Sequence, residues 1–185
     1  MTDTQADSQL PEGKQTSLGL YVTAHEAYEM WLAAPKKVKI LDVRTPEEYV
    51  FVGHPDMAVN IPLMFPKYEW HADRRRYGIE PSADFLADVQ EHFTPDDTIL
   101  TMCRSGGRSA WAVNMLAEAD FEEVYSIIDG MEGDKVKDPG SVFHGKRMMN
   151  GWKNAGLPWT YDLDPELVWH PHEDHIEEVR TALDL

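Results

Sequence analysis

Cysteine is nearly missing from this chain, with Cys103 standing alone among 185 residues. One thiol excludes an intramolecular disulfide, a cysteine-built metal cluster and an internal resolving thiol. Whatever Cys103 becomes in a reaction must be restored from outside the chain, unless two chains pair. Positive charge is also scarce: 17 lysines and arginines face 33 aspartates and glutamates, a formal net charge of -16. A field of that sign argues against nucleic acid and anionic membranes as partners, so an anionic ligand must be drawn in by local cations. Long hydrophobic runs are lacking too, since no stretch nears the ~20 apolar residues of a membrane helix. The N-terminal residues are polar and acidic, without the basic start and apolar core of a secretory signal, and the expected location is cytoplasmic.

What is present reads as a folded protein. Hydrophobic residues make up 42% of the chain, well above a disordered composition. The length suits one domain plus a tail or insertion. Residues 1–17 read as a flexible leader, 18–160 as the domain, and 161–185 as an acidic tail ending in a helix over 173–183. Within the domain, strands are expected at Leu20–Val22, Val38–Val43, Ala58–Ile61, Ile99–Met102 and Glu123–Ile128. Helices are expected after Thr23, with Glu26 placed for a capping box, after Thr45 with Pro46 at the first helical position, from Ser82 to about His92, and over Ser109–Ala119. Residues 63–81 read as irregular. Strands alternating with helices imply βαβ units, hence an α/β fold whose parallel sheet is covered on both faces and whose site lies at the carboxyl ends of the strands.

Cys103 sits at such an end. The apolar run Ile99–Met102 precedes it, and Arg104, Ser105, Gly106, Gly107, Arg108 and Ser109 lead from it into a helix. Backbone N–H groups of a glycine loop and the positive end of a helix dipole both favour a thiolate over a thiol. That is the setting of a nucleophile rather than of an inert core cysteine.

The loop Cys103-Arg104-Ser105-Gly106-Gly107-Arg108-Ser109 resembles the active-site loop of the rhodanese family of sulfurtransferases. Three further blocks match in order: Leu41-Asp42-Val43-Arg44 with Tyr49 after it, Gly53-His54 with Ala58 to Pro62, and Asn150-Gly151-Trp152 with Gly156 and Pro158. Ordered blocks are far more specific than any one of them. The resemblance implies a three-layer α/β fold with a central parallel sheet of about five strands. It implies that Cys103 takes the outer sulfur of a donor such as thiosulfate as a persulfide and yields it to cyanide or a thiol, with no cofactor and no metal. Gly106 and Gly107 would let the loop curl so that its N–H groups cradle the sulfur. Arg104 and Arg108 would hold the anionic donor, with Ser105 and Ser109 as hydroxyl donors. Asp42, Arg44 and His54 read as structural support, since attack by a preformed thiolate needs no base. The partners expected are therefore a small anionic sulfur donor and a thiol or cyanide acceptor, with a protein sulfur donor or acceptor as a further option.

Two other readings stand beside this one. A sulfur-carrier or binding module would be loaded by a protein persulfide and use free thiosulfate poorly. A cysteine phosphatase or arsenate reductase of related fold would carry its arginine one position later; here Arg108 stands five positions after Cys103 and Ser109 follows it. The chain also departs from the family pattern. Gly53-His54 continues as Pro55-Asp56-Met57-Ala58 where Ile-Pro-Gly-Ala is usual, and residues 134–150, rich in lysine, separate Gly133 from Gly151 and Trp152. That insertion either borders the site or is a surface excursion. Arg74-Arg75-Arg76 reads first as a solvated face, and as part of donor recognition if its segment folds over the loop. His170, His172 and His175 match no specific metal spacing and read as an exposed turn.

Overall fold

The strands carry apolar residues on both faces, the pattern of a parallel sheet that helices cover from both sides. The computed structural model describes residues 10–171. Its elements are β1 (Tyr21–Val22), α1 (Ala24–Ala33), β2 (Val38–Asp42), α2 (Pro46–Val52), β3 (Ala58–Asn60), β4 (Met64–His71), β5 (Arg76–Pro81), α3 (Phe85–His92), β6 (Thr98–Met102), α4 (Gly107–Glu118) and β7 (Val124–Ile127). Five strands form one sheet in the order β1-β7-β6-β2-β3, and every pairing in it is parallel. Along β2 and β6 successive residues enter opposite cores. Leu41 and Ile99 pack with Phe85, Val89, Val113 and Leu116 from α3 and α4. Ile40 and Leu100 pack with Ala24 and Ala27 of α1 and with Trp152.

Local signals set the helix starts. Thr23 and Glu26 form a complete capping box at α1, and Thr45 and Glu48 form a second at α2, where Pro46 begins the helix. Helix α3 starts later than the sequence indicates, with Asp84 rather than Ser82 at its N-cap.

Residues 63–81 are not irregular. They form an antiparallel β4–β5 hairpin outside the main sheet, with a register shift between Lys67 and Trp70. That shift breaks the period-two pattern that would announce a strand. The turn is reached through Arg75 at φ 49°, an uncommon conformation for a residue other than glycine.

The described part of the expected leader is docked rather than loose. Lys14 Nζ reaches Ile128 O at 2.8 Å and pairs with Asp134 at 3.1 Å, and Thr16 N donates to Tyr21 Oη at 2.8 Å. At the other end, residues 161–171 return to the domain: Asn60 N donates to Leu167 O, and Trp169 packs on Phe65 with ring centroids 5.0 Å apart. The expected helix over 173–183, with His172 and His175, lies outside the described residues. No described helix is long and apolar enough to cross a membrane.

Candidate active site

Strand β6 delivers Cys103 to the carboxyl edge of the sheet, and the chain turns at once into α4. The thiol is buried, at 2% exposure. Its Sγ accepts from the backbone N–H of Gly106 at 3.2 Å and from Ser109 Oγ at 3.4 Å. Ser109 is itself fully buried, so its hydroxyl has the sulfur as its defined partner. Two donors facing one sulfur at a helix N-terminus make a place where negative charge on that sulfur is welcome.

The curl depends on Gly106. It is the N-cap of α4 at φ 100°, and a Cβ there would lie 2.3 Å from Ile128 O. Gly130 supports the loop from the next strand end: it has φ 62°, and a Cβ would lie 2.4 Å from Cys103 O. That close approach lets Met131 N donate to Cys103 O at 2.8 Å and Glu132 N to Arg104 O at 3.0 Å. Cys103, Gly106 and Ser109 thus meet at one point, while Ser105 and Gly107 belong to the same turn without a hydrogen bond to the sulfur among the described residues.

The two loop arginines have different surroundings. Arg108 forks onto Glu48, with Nη1 to Oε2 at 2.5 Å and Nη2 to Oε1 at 2.6 Å. Burial opposes the charge on each partner. The Arg108 hydrogen bonds and charge, helped by Thr45 and Arg44, still hold the Glu48 carboxyl below the usual glutamate range. Burial likewise opposes the Arg108 charge, but Glu48, with Cys103 and Asp42 contributing, holds its pKa above the ordinary arginine value. Arg104 is exposed, and its guanidinium has no hydrogen bond or ion pair among the described residues. Glu48 is the residue sequence reasoning missed. Its capping-box spacing from Thr45 was visible, but a cap does not announce that the same carboxylate also reaches Arg108 from α2.

Asp42, Arg44 and His54 lie in the frame around the loop. Asp42 and Arg44 are fully buried and pair at 2.6 Å; Arg44 also donates to Gly53 O at 2.9 Å. Arg44 thereby ties the end of β2 to the end of α2. Burial opposes its charge, and Asp42, with Glu48 adding, more than offsets that. His54 stacks on Tyr49, with ring centroids 3.6 Å apart and planes 10° apart, and its Nδ1 lies 3.1 Å from Tyr49 O. Its backbone exchanges hydrogen bonds with Thr160.

A cleft of about 440 Å³ opens beside the loop. Thr45, Glu48, Arg104 and Arg108 form its loop side. Met64, Pro66, Arg76 and Ile79 form the other side, all from the β4–β5 hairpin. Cys103 does not line this space; its two loop arginines do. None of the insertion residues 134–150 lines it either. The insertion instead folds on itself, with bridges Lys135–Arg147 and Val136–His144, and is pinned at its base by Asp134, Asn150 and Lys14. The segment that borders the site is therefore the hairpin. No group of three or more His, Cys, Asp or Glu among the described residues is arranged to hold a metal ion.

The Rhodanese-like domain family model matches residues 23–136. The chain is 38% identical over 109 residues to a protein of Arabidopsis thaliana named thiosulfate sulfurtransferase 16, chloroplastic, covering 59% of this chain and 81% of that one. It is 39% identical over 92 residues to the senescence-associated protein DIN1 of Raphanus sativus, covering 50% of this chain but only 45% of the relative's length. Among solved structures, the crystal structure of Rv0390 from M. tuberculosis superposes with a TM-score of 0.57 at 28% identity, covering 76% of this chain and 96% of that one.

Proposed function

The chain belongs to the family of rhodanese-like domains, and from that premise we propose that it is a sulfurtransferase that carries sulfur as a persulfide on Cys103. The observation that carries this reading is the pair of donors on one sulfur, Gly106 N–H at 3.2 Å and Ser109 Oγ at 3.4 Å. The Cys103 thiolate attacks the outer sulfur of a donor such as thiosulfate. The new S–S bond forms on Cys103 as the donor's S–S bond breaks, and sulfite leaves with the bonding electron pair. The negative charge then rests on the outer persulfide sulfur, within a cradle built for one anionic atom. A thiophilic acceptor, cyanide or a thiolate, attacks that sulfur, and the Cys103 thiolate leaves. No proton need move in either step, which fits a thiol partnered by the Ser109 hydroxyl and a His54 held against Tyr49.

Phosphoryl chemistry is less well served. It calls for an arginine fork free to grip phosphate oxygens, whereas the Arg108 fork is spent on Glu48. Steady-state release of thiocyanate from thiosulfate and cyanide, compared with hydrolysis of an aryl phosphate, tests the assignment. Thiocyanate release that Cys103→Ser abolishes supports it; Cys103-dependent phosphate release without thiocyanate contradicts it.

A further inference from the structure

We infer that the hairpin makes this site selective for an organic anionic sulfur donor, with Arg76 binding its charge and Ile79, Met64 and Pro66 its apolar body. This rests on the sulfurtransferase reading of the preceding section and narrows it to a substrate class.

Three observations carry it. Arg108 is committed to Glu48 in a two-point ion pair, so the cations left to meet a ligand in the cleft are Arg104 and Arg76, and neither guanidinium has a partner among the described residues. One belongs to the Cys103 loop and the other to the facing hairpin, so an anion in the cleft lies between charges from two elements. The space between them is about 440 Å³, far more than the few heavy atoms of thiosulfate require and within the usual ~300–1,000 Å³ of sites for organic ligands. The hairpin wall is also apolar apart from Arg76. Ile79 is left 53% exposed there, beside Met64 and Pro66 on the same wall. On a chain of net charge -16, such a local pairing of cations is what draws an anion in.

An arylthiosulfonate fits this description. The Cys103 thiolate attacks its outer sulfur, the sulfur–sulfonyl bond breaks, and the arylsulfinate leaves with the electron pair. The reaction leaves the same persulfide on Cys103 as thiosulfate does.

The test compares benzenethiosulfonate with thiosulfate as donors to the full chain, with cyanide as acceptor. The wild type is expected to show a kcat/KM about tenfold higher for benzenethiosulfonate. Arg76→Ala is expected to raise KM for that donor about tenfold with little change in kcat, since Arg76 binds rather than reacts. Ile79→Asn is expected to shrink the preference between the two donors. Arg75→Ala, at the hairpin turn and outside the cleft lining, controls for general loss of positive charge. Equal use of the two donors, or a KM that ignores Arg76→Ala, overturns the inference while leaving sulfur transfer intact. Loading of Cys103 by neither donor overturns the sulfurtransferase reading itself, and the inference with it.

Discussion

Gly106 carries the strictest demand placed on any one residue of the site. Its φ of 100° and its distance of 2.3 Å from a notional Cβ to Ile128 O mean that a side chain moves the N–H that points at Cys103 Sγ. Gly106→Ala is expected to cost about 1–3 kcal/mol of stability. Thermal unfolding and the rate of sulfur loading check this together; loading at the wild-type rate with unchanged Tm contradicts it. Ser109 offers a milder change. Ser109→Ala removes one of two donors to the sulfur without altering the backbone, and sulfur loading from thiosulfate is expected to slow about tenfold, the worth of one hydrogen bond to a charged group. A rate within twofold of wild type would mean that the hydroxyl contributes nothing to the anionic sulfur. Cys103, Gly106 and Ser109 were all legible in the sequence because their spacing within one loop brings them together. Glu48 was not, because it lies 60 residues from Arg108 and only their side chains meet, across the ends of two helices that the fold brings near each other.

Elements decide how that loop is held. Helix α2 brings Glu48 to Arg108 and Thr45, and β2 ends in the buried Asp42–Arg44 pair that ties α2 back to the sheet. Asp42→Asn leaves the Arg44 charge buried without its counter-charge and is expected to cost about 3–5 kcal/mol by urea unfolding. A cost below about 1 kcal/mol would show that Gly53 O and Glu48 O suffice for Arg44. The Glu48–Arg108 pair gives a pH signature. The Glu48 carboxyl titrates lower folded than unfolded, so its stabilisation is present above the unfolded value of ~4.3 and is lost as pH falls through the folded one. Glu48→Gln is therefore expected to be less stable than wild type at neutral pH, with the gap closing as pH falls below the unfolded carboxyl value and through the lower folded one. A gap that stays constant with pH assigns Glu48 a packing role only. The main-sheet strands were legible because apolar runs between helical segments leave few alternatives. The β4–β5 hairpin was hidden. Aromatics and charges alternate poorly through its bulge, and Pro66 interrupts what would otherwise read as a strand. The insertion at 134–150 drew attention by its basic charge, but its residues turn towards one another and towards Lys14 rather than the cleft.

At the scale of the whole molecule, segments outside the core sheet position the site. The docked stretch at residues 10–17 passes behind the loop, where Lys14 packs near Gly106 and bonds Ile128 O. The returning stretch at 161–171 braces the hairpin, with Trp169 on Phe65 of β4 and its Nε1 donating to Asp88 of α3 at 3.2 Å. Trp169→Ala is expected to cost about 1.5–3 kcal/mol and to speed amide exchange in β4 and β5 more than in β6. Uniform exchange changes across both would mean that the tail stabilises the domain without bracing the hairpin. The central claim is narrower than all of this: sulfur rests covalently on Cys103 between two half-reactions. The direct measurement is intact mass after incubation with thiosulfate and removal of the donor, repeated after cyanide is added. The account predicts a gain of one sulfur atom by the wild type, none by Cys103→Ser, and return to the starting mass with an equal yield of thiocyanate. No gain by the wild type while it still turns over thiosulfate and cyanide, or an equal gain by Cys103→Ser, would contradict it.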